Sequence, residues 1–257
     1  MNEKRQDPSS TEETGIIIGR NPVLEALRAG RPIDTVYVSS EAKEGALARI
    51  CALAKQAGAV VKQVDGRKLA ALADGGNHQG VAAIASAAEY AQLSDLLEAA
   101  RAKNEPPFLI LADEIEDPHN LGALIRTAEA SGAHGLVIPK RRSASLTATV
   151  DKTSAGAVSY LPVARVANLA TAMDELKAAG VWIYGADAGG QRYDTVDMSG
   201  PIALVIGSEG KGLGRLVREK CDFIVSLPMR GHVNSLNASV AGGILMYEVL
   251  RRRLGQA

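Results

Sequence analysis

The chain is predicted to be an α/β protein: a small α/β unit followed by a larger parallel sheet covered on both faces by helices. Three observations carry this. From Phe108 onward, short apolar runs of strand length alternate with helix-length segments, the pattern of a buried parallel sheet. Ahead of it, Asn104-Glu-Pro-Pro107 cannot continue a helix and separates this alternation from an earlier one. The length of 257 residues allows one large domain or two modest ones, and 46% apolar content fills a core. Aromatics are only 4%, so Ala, Val, Leu and Ile must do the filling.

Taken in order, residues 1–14 are polar and mixed in charge and are expected to be disordered. Order begins with a strand at 15–19. Asn21 then reads as a helix N-cap with Pro22 at the first helical position, and Val23, Leu24 and Leu27 form the apolar stripe. Strands are expected at 34–38, 59–64 and 81–85, with helical spacing over 41–56. Together 15–88 reads as a small α/β domain, and 89–107 as a linker containing a short helix at 93–103. In 108–257 the strands are expected at 108–112, 135–138, 160–165, 181–185, 202–206 and 223–227. Helices fall at about 120–131, 168–179, 214–221 and 235–253.

Several function classes are disfavoured by composition. Formal net charge is zero, which argues mildly against nucleic acid unless cations cluster. They do cluster: Arg126, Lys140, Arg141, Arg142, Lys211, Arg215, Arg218, Lys220 and Arg230 all lie in the second half. Arg251-Arg-Arg253 instead complements the dipole at a helix C-terminus. Cys51 and Cys221 are far apart and read as small buried hydrophobes in a reducing compartment. His78, His119, His134 and His232 show no metal spacing with each other or with the cysteines. No apolar run is long enough to span a bilayer and no secretory leader is visible, so a cytoplasmic protein is expected.

Three segments carry candidate chemistry, and all begin at the carboxyl edge of the expected sheet, where ligands of such sheets bind. In Asn120-Leu-Gly-Ala-Leu-Ile-Arg126, Asn120 can cap a helix, Gly122 permits close approach, and Arg126 lies one to two turns on. Alone this is a capped helix with a surface arginine. In Gly207-Ser-Glu-Gly-Lys-Gly212 the glycines suggest a phosphate cradle, yet neither a P-loop nor a dinucleotide fingerprint fits. Glu209 would repel a phosphate and suits a cation or a hydroxyl. Alone this is a mobile loop. Ser226 to Val240 places Pro228, Gly231, Ser235 and Asn237 beside Leu227 and Leu236, a mixture suited to a small polar ligand with a flat ring. Alone it is a turn in which Ser235 or Asn237 caps the last helix.

Taken together, these segments resemble the three signature motifs of the SpoU family of RNA ribose 2′-O-methyltransferases. Asn120-x-Gly122-x-x-x-Arg126-Thr127-Ala128 is similar to the first, Gly207-x-Glu209-Gly210 to the second, and Leu227-Pro-Met-x-Gly231 through Ser235-Leu-Asn237-x-Ser239-Val240-Ala241 to the third. The resemblance covers about 108–253. Gly19-Arg-Asn-Pro-Val-Leu-Glu-Ala-Leu27 resembles the opening of the substrate-binding domain in the RlmB-like branch, which methylates a guanosine of 23S ribosomal RNA. Leu227 and Ala238 depart from the residues frequent there but stay apolar.

The resemblance implies a Rossmann-like parallel-sheet domain with a C-terminal trefoil knot (the SPOUT fold), a homodimer, S-adenosyl-L-methionine as cofactor and no metal. It implies that Gly207, Leu227, Met229 and Leu236 contact the cofactor. Asn120, Arg126, Glu209, Ser235 and Asn237 would form the catalytic surround. Arg20, Lys140, Arg141, Arg142 and Lys211 are candidates for holding RNA. Arg126 is expected to act as a cation rather than a base, because a guanidinium keeps its proton in proteins, with Glu209 orienting it. Rival readings are the same chemistry on transfer RNA or another ribosomal nucleotide, an RNA-binding assembly factor without catalysis, and a nucleotide-binding α/β protein.

Overall fold

The computed structural model describes residues 15–41, 45 and 47–255. The tail at 1–14 and part of the helix expected over 41–56 lie outside the described residues. Among the described residues the chain forms two compact units. One holds residues up to 89 together with 145–148, and the other holds 90–144 and 149–257.

The first unit is a four-stranded mixed sheet. Its strands are β1 (Ile16–Ile18), β2 (Ile33–Ser39), β3 (Val60–Val64) and β4 (Val81–Ala85), in the order β1-β4-β2-β3. β4 runs antiparallel to both neighbours, while β2 and β3 are parallel. Helices α1 (Arg20–Arg28) and α2 (Ala48–Gln56) bury Val23, Leu27, Ile50 and Ala54 against Val36, Val38, Val81 and Ala83. Helix α1 starts ahead of the expected Asn21. Gly19 is its N-cap, with φ 93°, and the Gln79 side chain accepts from the Arg20 N–H at 3.2 Å. Pro22 therefore sits inside the first turn, where its missing N–H costs nothing. Helix α3 (Gly66–Ala73) was not anticipated, although Asp65 caps it by accepting from the Lys68 N–H at 2.8 Å.

The second unit has six parallel strands: β5 (Phe108–Ala112), β6 (Gly135–Pro139), β7 (Val163–Val166), β8 (Trp182–Arg192), β9 (Ile202–Ile206) and β10 (Phe223–Ser226). Their order is β10-β8-β9-β5-β6-β7. Side chains alternate between faces. On one face Leu109, Leu111, Val137, Ile183, Ala203 and Val205 pack under α4 (Leu93–Ala102), α7 (Leu169–Ala178) and α8 (Arg215–Lys220). Helices α5 (Pro118–Ala130) and α9 (Ala238–Leu254) pack against each other, and Gly242 lies against Leu124 and Ile206. A short α6 (Ala148–Thr153) was also not anticipated.

Two expectations change here. Residues 89–107 are not a bare linker: α4 buries Leu96 and Ala100 completely, and Leu96 belongs to the core of the second unit. Its apolar residues recur at helical spacing, which fits a packed helix better than a tether. Strand β8 also runs well past 185, because its pairing with β10 resumes beyond a break. Phe223 and Ile224 pair with Tyr184 and Gly185, whereas Val225 and Ser226 pair with Gln191 and Arg192. Ala186 still pairs with Ile206 of β9, and residues 187–190 lie between the two registers, at the carboxyl edge of the sheet.

Candidate active site

Three loops meet at that edge. The first is the excursion at 187–190. Gly190 is obligatory there, since an added Cβ would lie 2.4 Å from the Ile224 carbonyl oxygen. The Ser226 hydroxyl donates to the Gly190 carbonyl at 2.9 Å, and Asp187 pairs with Arg218.

The second loop follows β9. Gly207 packs so closely on Gly212 that a Cβ would meet its carbonyl group at 2.4 Å. Gly210 and Gly212 have φ of 80° and 66°, a region that favours glycine. The Gly212 N–H closes the turn on the Ser208 carbonyl at 3.0 Å. Asp113 at the end of β5 ties down the far end, accepting from the Gly214 N–H at 2.8 Å. Burial raises the Asp113 pKa, against the lowering effect of that hydrogen bond.

The third loop runs from β10 into α9. Asn237 is the N-cap, its Oδ1 accepting from the N–H groups of Ser239 at 2.9 Å and Val240 at 3.2 Å. Ser235 does not share that role.

Together the loops enclose a cavity of about 650 Å³. Gly207, Leu227, Met229 and Leu236 all line it, as do Ser235, Asp187, Glu209 and Lys211. Alongside lies a second cavity of about 260 Å³, lined by Glu114 to Asp117, Asn120, Ser208, Glu209 and Lys211. Ser208, Glu209 and Lys211 are common to both.

At the junction the three sequence segments bond to one another. Asn120 Nδ2 donates to Glu209 Oε1 at 2.9 Å, and Asn237 Nδ2 donates to Asn120 Oδ1 at 2.9 Å and also to Glu209 Oε1. Asn120 is thus 9% exposed and spoken for. It is not the helix cap it was expected to be. Asp117 caps α5, accepting from the His119 N–H at 2.9 Å, and Pro118 takes the first helical position. Capping and site formation thus fall to different residues, Asp117 and Asn120.

Arg126 does not join the network. It is exposed, lines neither cavity, and makes no hydrogen bond or ion pair among the described residues. Six positions along a helix are about 9 Å of rise and 240° of rotation, so it faces away from Asn120. The expected orientation of Arg126 by Glu209 is therefore not formed within one chain. Of the candidate RNA contacts, Lys211 borders both cavities and Arg142 pairs with Glu114 at 2.9 Å. Lys140 and Arg141 are exposed on the same loop. Arg20 belongs to the first unit, where its Nε donates to the Gln79 carbonyl at 2.9 Å. Sequence reasoning missed the 187–190 excursion with Asp187. The only signal was the pair Gly189-Gly190 inside a strand pattern.

The cavity residues suit a cationic cofactor with an adenine ring. The volume is in the range of cofactor sites. Leu227, Met229 and Leu236 supply apolar walls, with Met229 and Leu236 still 37% and 38% exposed. Asp187 and Glu209 supply negative charge.

Comparison with known proteins agrees. Residues 107–247 match the model of the SpoU rRNA Methylase family, and residues 16–91 match that of RNA 2′-O ribose methyltransferase substrate binding. YacO of Bacillus subtilis (strain 168), named for the TrmH family of tRNA/rRNA methyltransferases, is 50% identical over 244 residues, 95% of this chain and 98% of its own. Two similar solved structures hold the cofactor. An rRNA methyltransferase from Sinorhizobium meliloti with bound AdoMet has a TM-score of 0.57 and 26% identity over 95% of this chain and 90% of its own. The SpoU methyltransferase AviRb from Streptomyces viridochromogenes with AdoMet has 0.58 and 25% over 98% and 95%.

The fold and the family matches are those of an S-adenosylmethionine-dependent RNA 2′-O ribose methyltransferase. The chain belongs to the SpoU family. Among the described residues no group of three or more acidic, histidine or cysteine side chains could hold a metal ion, and no helix is long and apolar enough to cross a membrane.

Proposed function

We propose that the chain methylates the ribose 2′ hydroxyl of a specific guanosine in 23S ribosomal RNA. It would do so as an RlmB-like cytoplasmic homodimer with a C-terminal trefoil knot. The observation that carries this reading is the bonded meeting of Asn120, Glu209 and Asn237 between a cavity of cofactor size and a smaller one beside it. The substrate-binding match at 16–91 and the RlmB-like opening at 19–27 support the ribosomal target.

S-adenosylmethionine supplies a methyl group on a positively charged sulfonium, with a neutral thioether as leaving group. Gly207, Leu227, Met229 and Leu236 would hold it. Asn120 and Asn237 position Glu209, and Ser235 binds the ribose or steadies the loop. Much of the rate comes from this positioning. Arg126 grips an RNA phosphate and stabilises the developing alkoxide. Its direction away from its own site fits service from a second protomer. A stripe of Val240, Ile244 and Tyr247 on α9, 51%, 38% and 51% exposed at helical spacing, supports such a pairing. Arg20, Lys140, Arg141, Arg142 and Lys211 take RNA phosphates.

Mapping 2′-O-methyl groups in RNA from cells lacking the protein tests the proposal. One guanosine of 23S RNA is expected to lose its mark and to regain it with the purified enzyme. A mark lost from transfer RNA instead would replace the ribosomal target. RNA binding with no lost mark would replace the enzyme with an assembly factor.

A further inference from the structure

The Asn120–Glu209–Asn237 network leaves one polar atom uncommitted. Both amide donors end on Glu209 Oε1, from Asn120 at 2.9 Å and from Asn237. Oε2 accepts no hydrogen bond from the described residues. Glu209 also borders both cavities. A carboxylate fixed by one oxygen and open at the other, on the boundary between two adjoining sites, has the placement required of a general base. Arg126 lacks that placement, and a protonated guanidinium has no lone pair free to take up a proton.

We propose that Glu209 Oε2 accepts the proton of the ribose 2′ hydroxyl as its oxygen attacks, an inference that rests on the methyltransferase reading of this site. The O–H bond breaks and its proton passes to Oε2. The ribose oxygen forms a bond to the methyl carbon, and the carbon–sulfur bond breaks with its electron pair left on sulfur. A carboxylate and a sulfonium become a carboxylic acid and a thioether, so two opposite charges cancel and none is separated in the cavity. Asn120 and Asn237 act as positioning residues that aim Oε2. The other ionisable groups facing it are Glu114, Glu116, Asp117 and Lys211 around the smaller cavity and Asp187 in the larger.

Glu209→Gln tests this, because it keeps the size and the oxygen that accepts from the two asparagines while removing the open acceptor. Single-turnover methyl transfer should fall by about 100-fold or more, with affinities for S-adenosylhomocysteine and substrate RNA, read by calorimetry, within about threefold of wild type. Formate should restore part of the rate to Glu209→Gly. The proposal is overturned if the Gln variant stays near wild-type rate, or if both affinities fall in step with the rate. A wild-type rate climbing about tenfold per pH unit, the mark of a base with a high pKa, would also overturn it. Failure of the parent reading looks different, since the wild-type protein itself would then transfer no methyl group to RNA.

Discussion

Gly207 shows how single residues decide this site. Its Cα lies so near the Gly212 carbonyl that any side chain forces the loop apart. Gly207→Ala should therefore weaken S-adenosylhomocysteine binding by about tenfold or more and cost about 1–3 kcal/mol of stability, as overpacking does. Calorimetry and urea unfolding read the two effects. At this scale much was legible in the sequence. Gly207, Leu227, Met229 and Leu236 were named from motif order, and all four line one cavity. Asn120 was named for the site but given the wrong local duty. A residue beside a proline-led helix start reads as a cap, and only three-dimensional pairing with Glu209 shows that Asp117 does the capping. Arg126 was placed near its partners because spacing along a helix gives reach but not azimuth until the buried face is known.

At the level of elements, the parallel sheet followed from alternation, while the strand order and the breaks in register did not. The 187–190 excursion exists because β10 skips residues in pairing with β8, and such a skip depends on the partner strand rather than on local propensity. Its downstream end is pinned to α9. Glu248, 6% exposed, accepts from Arg251 and from Arg252, and Arg252 also donates to the Asp194 carbonyl at 2.5 Å. The arginines read from sequence as dipole complements thus have specific partners. Arg253 donates to the Pro107 and Gly200 carbonyls at 3.0 and 2.9 Å. Glu248→Gln should lower unfolding free energy by about 1–3 kcal/mol, the value of hydrogen bonds to a charged group. Its pH dependence has a definite sign. Hydrogen bonding from Arg251, then Arg252, holds the Glu248 carboxyl below its usual range. The stabilisation is therefore present above the ordinary carboxylate range and is lost as pH falls through the lowered value. Denaturant titrations of wild type and variant should converge in acid.

For the whole molecule, acid sensitivity should also appear nearer neutrality, through His134. This imidazole is 2% exposed, accepts from the Phe108 N–H on Nδ1 at 3.0 Å and faces Glu105 with Nε2 at 3.1 Å. Burial lowers its pKa below 6.5, outweighing the opposing pull of Glu105. The unfolded chain then takes up the proton more readily, so stability is full above that ordinary value and declines as pH falls below it. Melting temperature should drop between about pH 7 and 5, and His134→Asn, which can accept the same N–H without titrating, should flatten the drop. The division between the two units falls at 89/90, ahead of the proline-containing break at 104–107, which lies inside the second unit. Assignment of 145–148 to the first unit was not legible, because that excursion is a tertiary fact without a local signature.

The cavity walls come from the ends of β8, β9 and β10, and the last wall is α9, through Ala238, Ala241 and Leu245. A shift of α9 away from the sheet would therefore dismantle the donor pocket while the strands carrying its other walls stay paired.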